Sequence, residues 1–393
     1  MLEWLVLPAA IGAAAMVPRK RNEKQIIERV FKNRRICIKN GELEQYPKFK
    51  SKTVKDSHTT YCFTLPAGIP SEIMESLEPA FAEALNRDIE WEFDGILKIR
   101  VFHHKLPESW NYDESLLRPK TWEVPVGKDQ RGVYYHDFDK YPHMLAGGTT
   151  RFGKTVFLKN MFNSLLLNQP ENVEFYILDL KGGLEFYKFA GLQQVKGIAC
   201  DVYEAAEMLN EIVEGIKQRE AEFRAHSLTN VVDTNIKKRT FIIVDEGAEL
   251  APELIHKTYR QHAQFCQAAL GEIARISGGL GYRLIFCTQY PTRQAVPAQV
   301  KINIVTRVSF LIPEQVGSRV ILDENGAEEL PAIPGRCIYK VEKKRILQAP
   351  YITDKQMFKM MEEFLNETGK TRKPVDDDRP PESDHSPPVI THS

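Results

Sequence analysis

Between residues 121 and about 350, short runs of consecutive apolar residues alternate with longer stretches whose apolar positions recur every three or four residues. That rhythm predicts strands buried on both faces and covered by helices, the mark of a largely parallel α/β sheet. Met144-Leu145-Ala146, Glu174 to Leu180, Thr240 to Val244 and Arg283 to Gln289 read as strands, and an apolar helix is expected from Val156 to Leu167. Residues 59–120 have a different pattern. Tyr61 to Leu65 reads as a strand, and Ser71 is placed to cap a helix from Glu72 to Asn86 with Ile73, Leu77, Phe81 and Leu85 on one face. Ile89 to Phe93 and Ile96 to Val101 alternate apolar and polar residues around Asp94-Gly95, a strong hairpin signal. A small α+β domain is expected here, with nothing catalytic in it.

The two ends break both patterns. Trp4 to Val17 carries no charge, and from Arg19 to Asn40 nine Lys or Arg stand against two acids. Fourteen residues make a helix of about 21 Å, short of a hydrocarbon core of about 30 Å. Residues 1–18 are read as a membrane anchor with its basic flank on the cytoplasmic side, or else as a helix packed on the core; the abrupt switch favours the anchor. A signal peptide would carry its basic residues ahead of the apolar run. Residues 19–58 are expected to form a basic linker; its run from Arg19 to Lys39 could bind DNA, and its place next to an apolar segment favours anionic lipid. Residues 367–393, rich in proline and carrying Asp376-Asp377-Asp378, are expected to be disordered.

Composition narrows the class. With 53 Lys plus Arg against 53 Asp plus Glu, the formal net charge is zero, which excludes a uniformly basic coat for nucleic acid. A hydrophobic fraction of 42% excludes wholesale disorder. The six cysteines include no CxxC pair, so neither a zinc module nor a disulfide framework is expected. His103-His104 and His143 have no carboxylate or thiol at ligand spacing.

The sharpest motif is Gly148-Thr149-Thr150-Arg151-Phe152-Gly153-Lys154-Thr155, a full GxxxxGK[ST] phosphate loop between a buried strand and an apolar helix starting near Val156. Such a loop turns backbone N–H groups and a helix N-terminus toward phosphate oxygens. Lys154 is assigned to the β- and γ-phosphates of ATP, and the Thr155 hydroxyl to Mg²⁺. The strand Thr240 to Val244 ends in Asp245-Glu246 and is expected beside that loop, Asp245 holding Mg²⁺ through water and Glu246 polarising the attacking water. Gln289, ending another strand, is placed to touch the γ-phosphate or the lytic water. The loop Asp179-Leu180-Lys181-Gly182-Gly183 is expected to touch nucleotide or a neighbouring subunit. Together these residues describe an ATPase.

In order and wording these elements resemble the FtsK/SpoIIIE family of DNA-pumping motors. Val124-Pro125-Val126-Gly127-Lys128-Asp129, Gly132 and Pro142 to Gly147 look like that family's lead-in to its loop. Thr288-Gln289-Tyr290-Pro291 is similar to its Thr-Gln-Arg-Pro element, and Ser318 to Asp323 with Gly326-Ala327-Glu328 resembles the segment after its last core strands. The resemblance implies a RecA-like P-loop core that assembles as a ring, usually a hexamer, around double-stranded DNA, with a neighbour's arginine completing each ATP site. Arg307 aligns best with that arginine and Arg319 is second. The family loop usually carries Gly and Ser where Arg151 and Phe152 stand, so this bulky pair is expected to alter nucleotide affinity or to protrude toward a neighbouring subunit.

The nearest resemblance is to coupling ATPases of integrative and conjugative elements. It implies a membrane-associated pump for conjugative-element, plasmid or phage DNA, at the cytoplasmic face of the membrane, with a relaxase or secretion-channel component as partner. The Asp179-Leu180-Lys181-Gly182-Gly183 wording is similar to type VII secretion motors, so protein export is the alternative. No winged-helix pattern follows the motor, so sequence-oriented loading is expected to be absent.

Overall fold

The computed structural model describes residues 22–366. The expected anchor at 1–18 and the expected disordered tail at 367–393 lie outside the described residues. Two units are present, residues 22–107 with 129–132 and the remainder from 108 onward.

The first unit comprises α1 (Glu23–Asn33), β1 (Ile38–Asn40), β2 (Leu43–Gln45), β3 (Lys48–Val54), β4 (His58–Thr64), α2 (Ile73–Leu85), β5 (Ile89–Phe93) and β6 (Leu97–Phe102). Strands β3, β4, β6 and β5 form an antiparallel sheet in that order. Gly95, at φ 67°, turns the β5–β6 hairpin in the left-handed conformation that a tight Asp-Gly turn requires. The segment expected as a basic linker holds α1 and β3. Its apolar residues Ile27, Val30 and Phe31 fall on one helical face and are buried, with the Phe31 ring 5.4 Å from Phe63 and 5.2 Å from Phe81. The density of basic residues hid a helical period, because the charges occupy the other face.

The second unit runs β7 (Glu123–Asp129), β8 (Gly132–Asp137), β9 (Met144–Gly147), α3 (Lys154–Asn168), β10 (Val173–Leu178), β11 (Val195–Ala199), α4 (Val202–Ala225), β12 (Arg239–Val244), α5 (Arg260–Ile276), β13 (Tyr282–Thr288), α6 (Ala298–Asn303), β14 (Thr306–Phe310), α7 (Gln315–Leu322), β15 (Arg336–Lys340), β16 (Lys344–Gln348), α8 (Asp354–Met360) and α9 (Glu362–Asn366). Its sheet has the order β11-β10-β12-β13-β9-β14-β15-β16-β7-β8. From β11 to β14 the strands are parallel, and the pairs from β14 through β7 are antiparallel. This is the expected P-loop α/β architecture with a largely parallel sheet.

The apolar runs sort by alternation. Leu145, Ile242, Val244, Leu284 and Phe286 join α4 and α5 in one core. Met144, Ala146, Phe241, Ile243, Ile285 and Cys287 join α3 and the C-terminal helices in a second. Burying side chains of this size contributes about 1.5–3 kcal/mol each, which explains why these strands tolerate apolar residues at every position. Helix α3 is buried almost all round, and its polar residues find partners: Ser164 Oγ lies 2.6 Å from Tyr112 Oη, and Asn168 accepts from Arg118 N at 2.8 Å and donates to Glu123 O at 2.8 Å.

The carboxylate-bearing β12 does not pair with β9, because β13 lies between them. Its end still reaches the phosphate loop, through side chains instead of strand pairing.

Candidate nucleotide-binding site

Residues 148–153 connect the C-terminal end of β9 to the first turn of α3. Gly153 adopts φ 106°, and a Cβ there would stand 2.9 Å from Gly335 N, so both conformation and space demand glycine. The loop is held from several sides. Gly148 N donates to Thr288 O at 3.3 Å, Thr149 N to Leu311 O at 3.1 Å, and Gly335 N to Phe152 O at 3.0 Å. Arg151, at φ 72°, is a non-glycine residue in the left-handed region and is exposed. The Phe152 side chain is half-buried and packs on the α3 side of the sheet.

The loop borders a cavity of about 570 Å³ whose walls include Thr149, Thr150, Arg151, Gly153, Lys154, Thr155, Val156 and Gln289. Lys154 is buried, and its Nζ donates to Asp245 O and to Asp245 Oδ1, each at 2.6 Å. Burial disfavours the ammonium, but Asp245 and then Glu246 outweigh it and hold the Lys154 pKa above its ordinary value, so the cation is secured where a polyphosphate would meet it. The second oxygen of Asp245, Oδ2, is buried without a partner. A carboxylate oxygen left without a partner next to Lys154, with the Thr155 hydroxyl on the cavity wall, offers the oxygen chemistry that suits a hard divalent cation.

Glu246 is fully buried at the meeting of three strand ends. Its Oε1 accepts from Thr288 Oγ1 at 2.7 Å, both oxygens accept from Gln289 N at 3.0 Å, and Lys181 Nζ lies 3.2 Å from Oε2. The insertion of β13 thus has a chemical effect: the strand between the loop and the carboxylates supplies the groups that orient Glu246. Gln289 turns its side chain to the cavity, and its Oε1 is buried without a partner. Asp179 organises the loop after β10, its Oδ2 accepting from Glu185 N at 2.9 Å and Phe186 N at 2.8 Å, and burial raises its pKa. Sequence reading named this loop without a role for Lys181; the ion pair with Glu246 is legible only once three strand ends converge.

Arg307 is corrected. It lies on β14 and is buried, with Nε donating to Ile304 O at 2.8 Å, Nη1 to Ile321 O at 2.8 Å and Nη2 to Lys301 O at 2.6 Å, beside Asp323 Oδ2 at 3.2 Å. A guanidinium spent on three carbonyls of its own chain ties the ends of α6 and α7 and is not presented to another subunit. Arg319 on α7 is exposed, its Nε donating to Asn325 Oδ1 at 2.7 Å. Sequence reasoning also passed over the far wall of the cavity, formed by Glu108, Ser109, Trp110 and by Pro334, Gly335 and Gln348 to Tyr351.

His143 and His136 are structural. Burial pushes each pKa down to about 3, and His143 Nδ1 accepts from Leu284 N at 2.9 Å. Among the described residues no cluster of three or more His, Cys, Asp or Glu could hold a metal, and no helix is long and apolar enough to cross a membrane.

Comparison with known proteins follows the same outline. Over 252 residues the chain is 25% identical to DNA translocase FtsK of Tropheryma whipplei, covering 61% of this chain and 34% of that protein. Over 219 residues it is 30% identical to DNA translocase FtsK of Caldanaerobacter subterraneus, covering 53% of this chain and 29% of that one. The chain therefore spans about a third or less of the length of these relatives. In fold it is similar to the conjugation coupling protein TcpA of pCW3, solved with ATPγS, at a TM-score of 0.63 and 22% identity over 86% of this chain and 99% of that one. It is also similar to the cytoplasmic domain of the type VII secretion ATPase EccC of Thermomonospora curvata, at a TM-score of 0.54 and 23% identity over 70% of this chain and 34% of that one. Residues 110–292 match the FtsK/SpoIIIE family model, and the phosphate loop, the paired carboxylates and Gln289 all fall inside that stretch.

Proposed function

We propose that this chain is an ATP-driven translocase of double-stranded DNA, acting as a conjugation coupling protein or a related plasmid or phage DNA pump. The observation that carries the reading is the buried Lys154–Asp245–Glu246 corner beneath a complete phosphate loop, within an FtsK/SpoIIIE domain. The relatives' name, DNA translocase, and the coupling-protein likeness support the choice of cargo.

In this reading the loop N–H groups and Lys154 grip the triphosphate of ATP. Thr155 and Asp245 hold Mg²⁺, which when bound neutralises phosphate charge. Glu246 takes the proton of the attacking water, and its carboxylate has to leave the Thr288–Gln289 corner to do so. Gln289 contacts the γ-phosphate or that water. Arg319, exposed on its helix, replaces Arg307 as the arginine supplied to a neighbouring site in a homo-oligomeric ring, a hexamer by the family's habit. Contacts to DNA fall mostly on phosphates, so binding has little sequence preference and a steep salt dependence. Residues 1–18 hold the ring at the cytoplasmic face of the membrane, near anionic lipid and a relaxase or channel component.

The test is steady-state ATP hydrolysis by the full chain with and without linear double-stranded DNA. Stimulation that disappears at high salt, and turnover abolished in Lys154→Ala, is the expected result. Turnover indifferent to DNA would overturn the cargo and favour a protein-export motor, to which the EccC likeness also points.

A further inference from the structure

The cavity that begins at the phosphate loop ends at a wall the loop's chemistry does not use. That wall joins two distant parts of the second unit, the segment 108–110 and the segment 348–351 at the end of β16. Backbone bonds make it rigid. Tyr351 N donates to Trp110 O at 2.7 Å, Tyr112 N to Tyr351 O at 2.8 Å, and Ala349 N to Gly335 O at 2.8 Å. Asn160, on the helix that carries the phosphate loop, donates its side-chain N–H to Pro350 O. The wall and the loop are therefore fixed to the same helix.

Two large aromatic side chains stand on this scaffold. Tyr351 remains 54% exposed although its backbone is held on both sides. Trp110 is half-buried, with the Lys128 ammonium 4.7 Å from its ring centroid. Pro334 and Pro350 complete an apolar surface. Of the polar groups there, Gln348 is committed, its Oε1 accepting from Arg336 Nε at 3.1 Å and its Nε2 donating to Pro334 O at 2.8 Å. Glu108 and Ser109 are left to meet a ligand's edge.

A flat apolar wall at one end and a polyphosphate cradle at the other match the two halves of a nucleotide, and about 570 Å³ lies within the range of ligand cavities, about 300–1,000 Å³. We infer that Trp110 and Tyr351 form the purine-binding wall of this site, holding the base by stacking, with discrimination between adenine and guanine left weak. Stacking is indifferent to ring substituents because every base has a π face. The Glu108 carboxylate only accepts hydrogen bonds, and both purines carry N–H donors that suit it. This inference rests on the nucleotide reading above and adds the class of base to it.

The test compares ATP, GTP and inorganic tripolyphosphate as ligands of the full chain, by equilibrium binding and by quenching of tryptophan fluorescence. In the native protein ATP and GTP should both bind, within several-fold of each other, and both should quench. Trp110→Ala should weaken ATP and GTP about 10-fold, the size of one base–aromatic stack, and abolish most of the quench, while tripolyphosphate binds as before. Trp110→Phe should restore most of the affinity, which a merely structural role for the indole would not explain. ATP affinity unchanged in both Trp110→Ala and Tyr351→Ala, or tripolyphosphate weakened as much as ATP, would overturn the wall. Failure of the native chain to bind either ATP or tripolyphosphate would instead overturn the nucleotide reading itself.

Discussion

Strands β12 and β13 carry a buried ionic cluster at each end, and the two clusters are built to opposite rules. At their N-terminal ends Asp139 bridges two arginines. Its Oδ1 lies 2.8 Å from Arg239 Nε and 2.8 Å from Arg283 Nη2, and Arg239 spends its remaining donors on Asp139 Oδ2 and the carbonyls of residues 236–238. At their C-terminal ends Lys154 meets Asp245, but Asp245 Oδ2 and Gln289 Oε1 have no partner. Both clusters are expensive to bury. One pairs both carboxylate oxygens with arginines, and its single unmatched group is a donor, Arg283 Nε; the other leaves acceptors unmatched, and Gln289 lines the cavity that the phosphate loop borders. Acceptors left open at such a corner mark chemistry, and saturated ones mark architecture.

The difference can be tested by removing a charge from each kind of environment. The largest effect is expected at Arg319. If it acts across a subunit boundary, Arg319→Ala should lower turnover by about 10³–10⁵-fold, and mixing with Lys154→Ala subunits should restore part of it. Arg307→Ala, at a saturated site, should lower the Tm and show no such rescue. Glu246→Gln should bind ATP and lose about 10²–10⁴-fold in hydrolysis, measured by single turnover. Normal hydrolysis would move the base elsewhere.

Asp139→Asn should leave nucleotide affinity intact and cost about 3–5 kcal/mol of stability, the usual effect of unpairing a buried charge, read from denaturant unfolding. A drop in nucleotide affinity without a drop in stability would reverse the comparison. The smallest effect is a slope. His136 and His143 are held neutral in the fold by burial, with pKa values of about 3, against about 6.5 in an unfolded chain. Between those values the unfolded state binds more protons, so stability should fall as pH drops from about 6.5 toward 3, by up to about 1.4 kcal/mol per pH unit for each histidine. His143→Asn should reduce that slope in pH-dependent unfolding.

What could be read ahead of the structure was whatever lies close along the chain. The phosphate loop, Asp245-Glu246 and the β5–β6 hairpin are each written in one short consecutive stretch, where turn chemistry and apolar runs act locally. Strand order is not local. Nothing in the sequence places β13 between β9 and β12, so the grip of Thr288 and Lys181 on Glu246 was out of reach. Arg307 misled for a related reason. A basic residue in an apolar strand looks available until the ends of α6 and α7 bring their carbonyls to it. Trp110 and Tyr351 each resemble ordinary aromatic residues, and only their joining across the unit makes a wall.

The conformation of Arg151 has a consequence for laboratory evolution. A non-glycine residue at φ 72° carries a penalty of about 1–2 kcal/mol that glycine escapes. A library randomised at position 151 and screened for heat resistance alone should drift to glycine. The same library screened for turnover should keep a long cationic side chain on the rim of the phosphate cradle. Divergence between the two enriched pools would identify this residue as one where the chain sacrifices durability for activity.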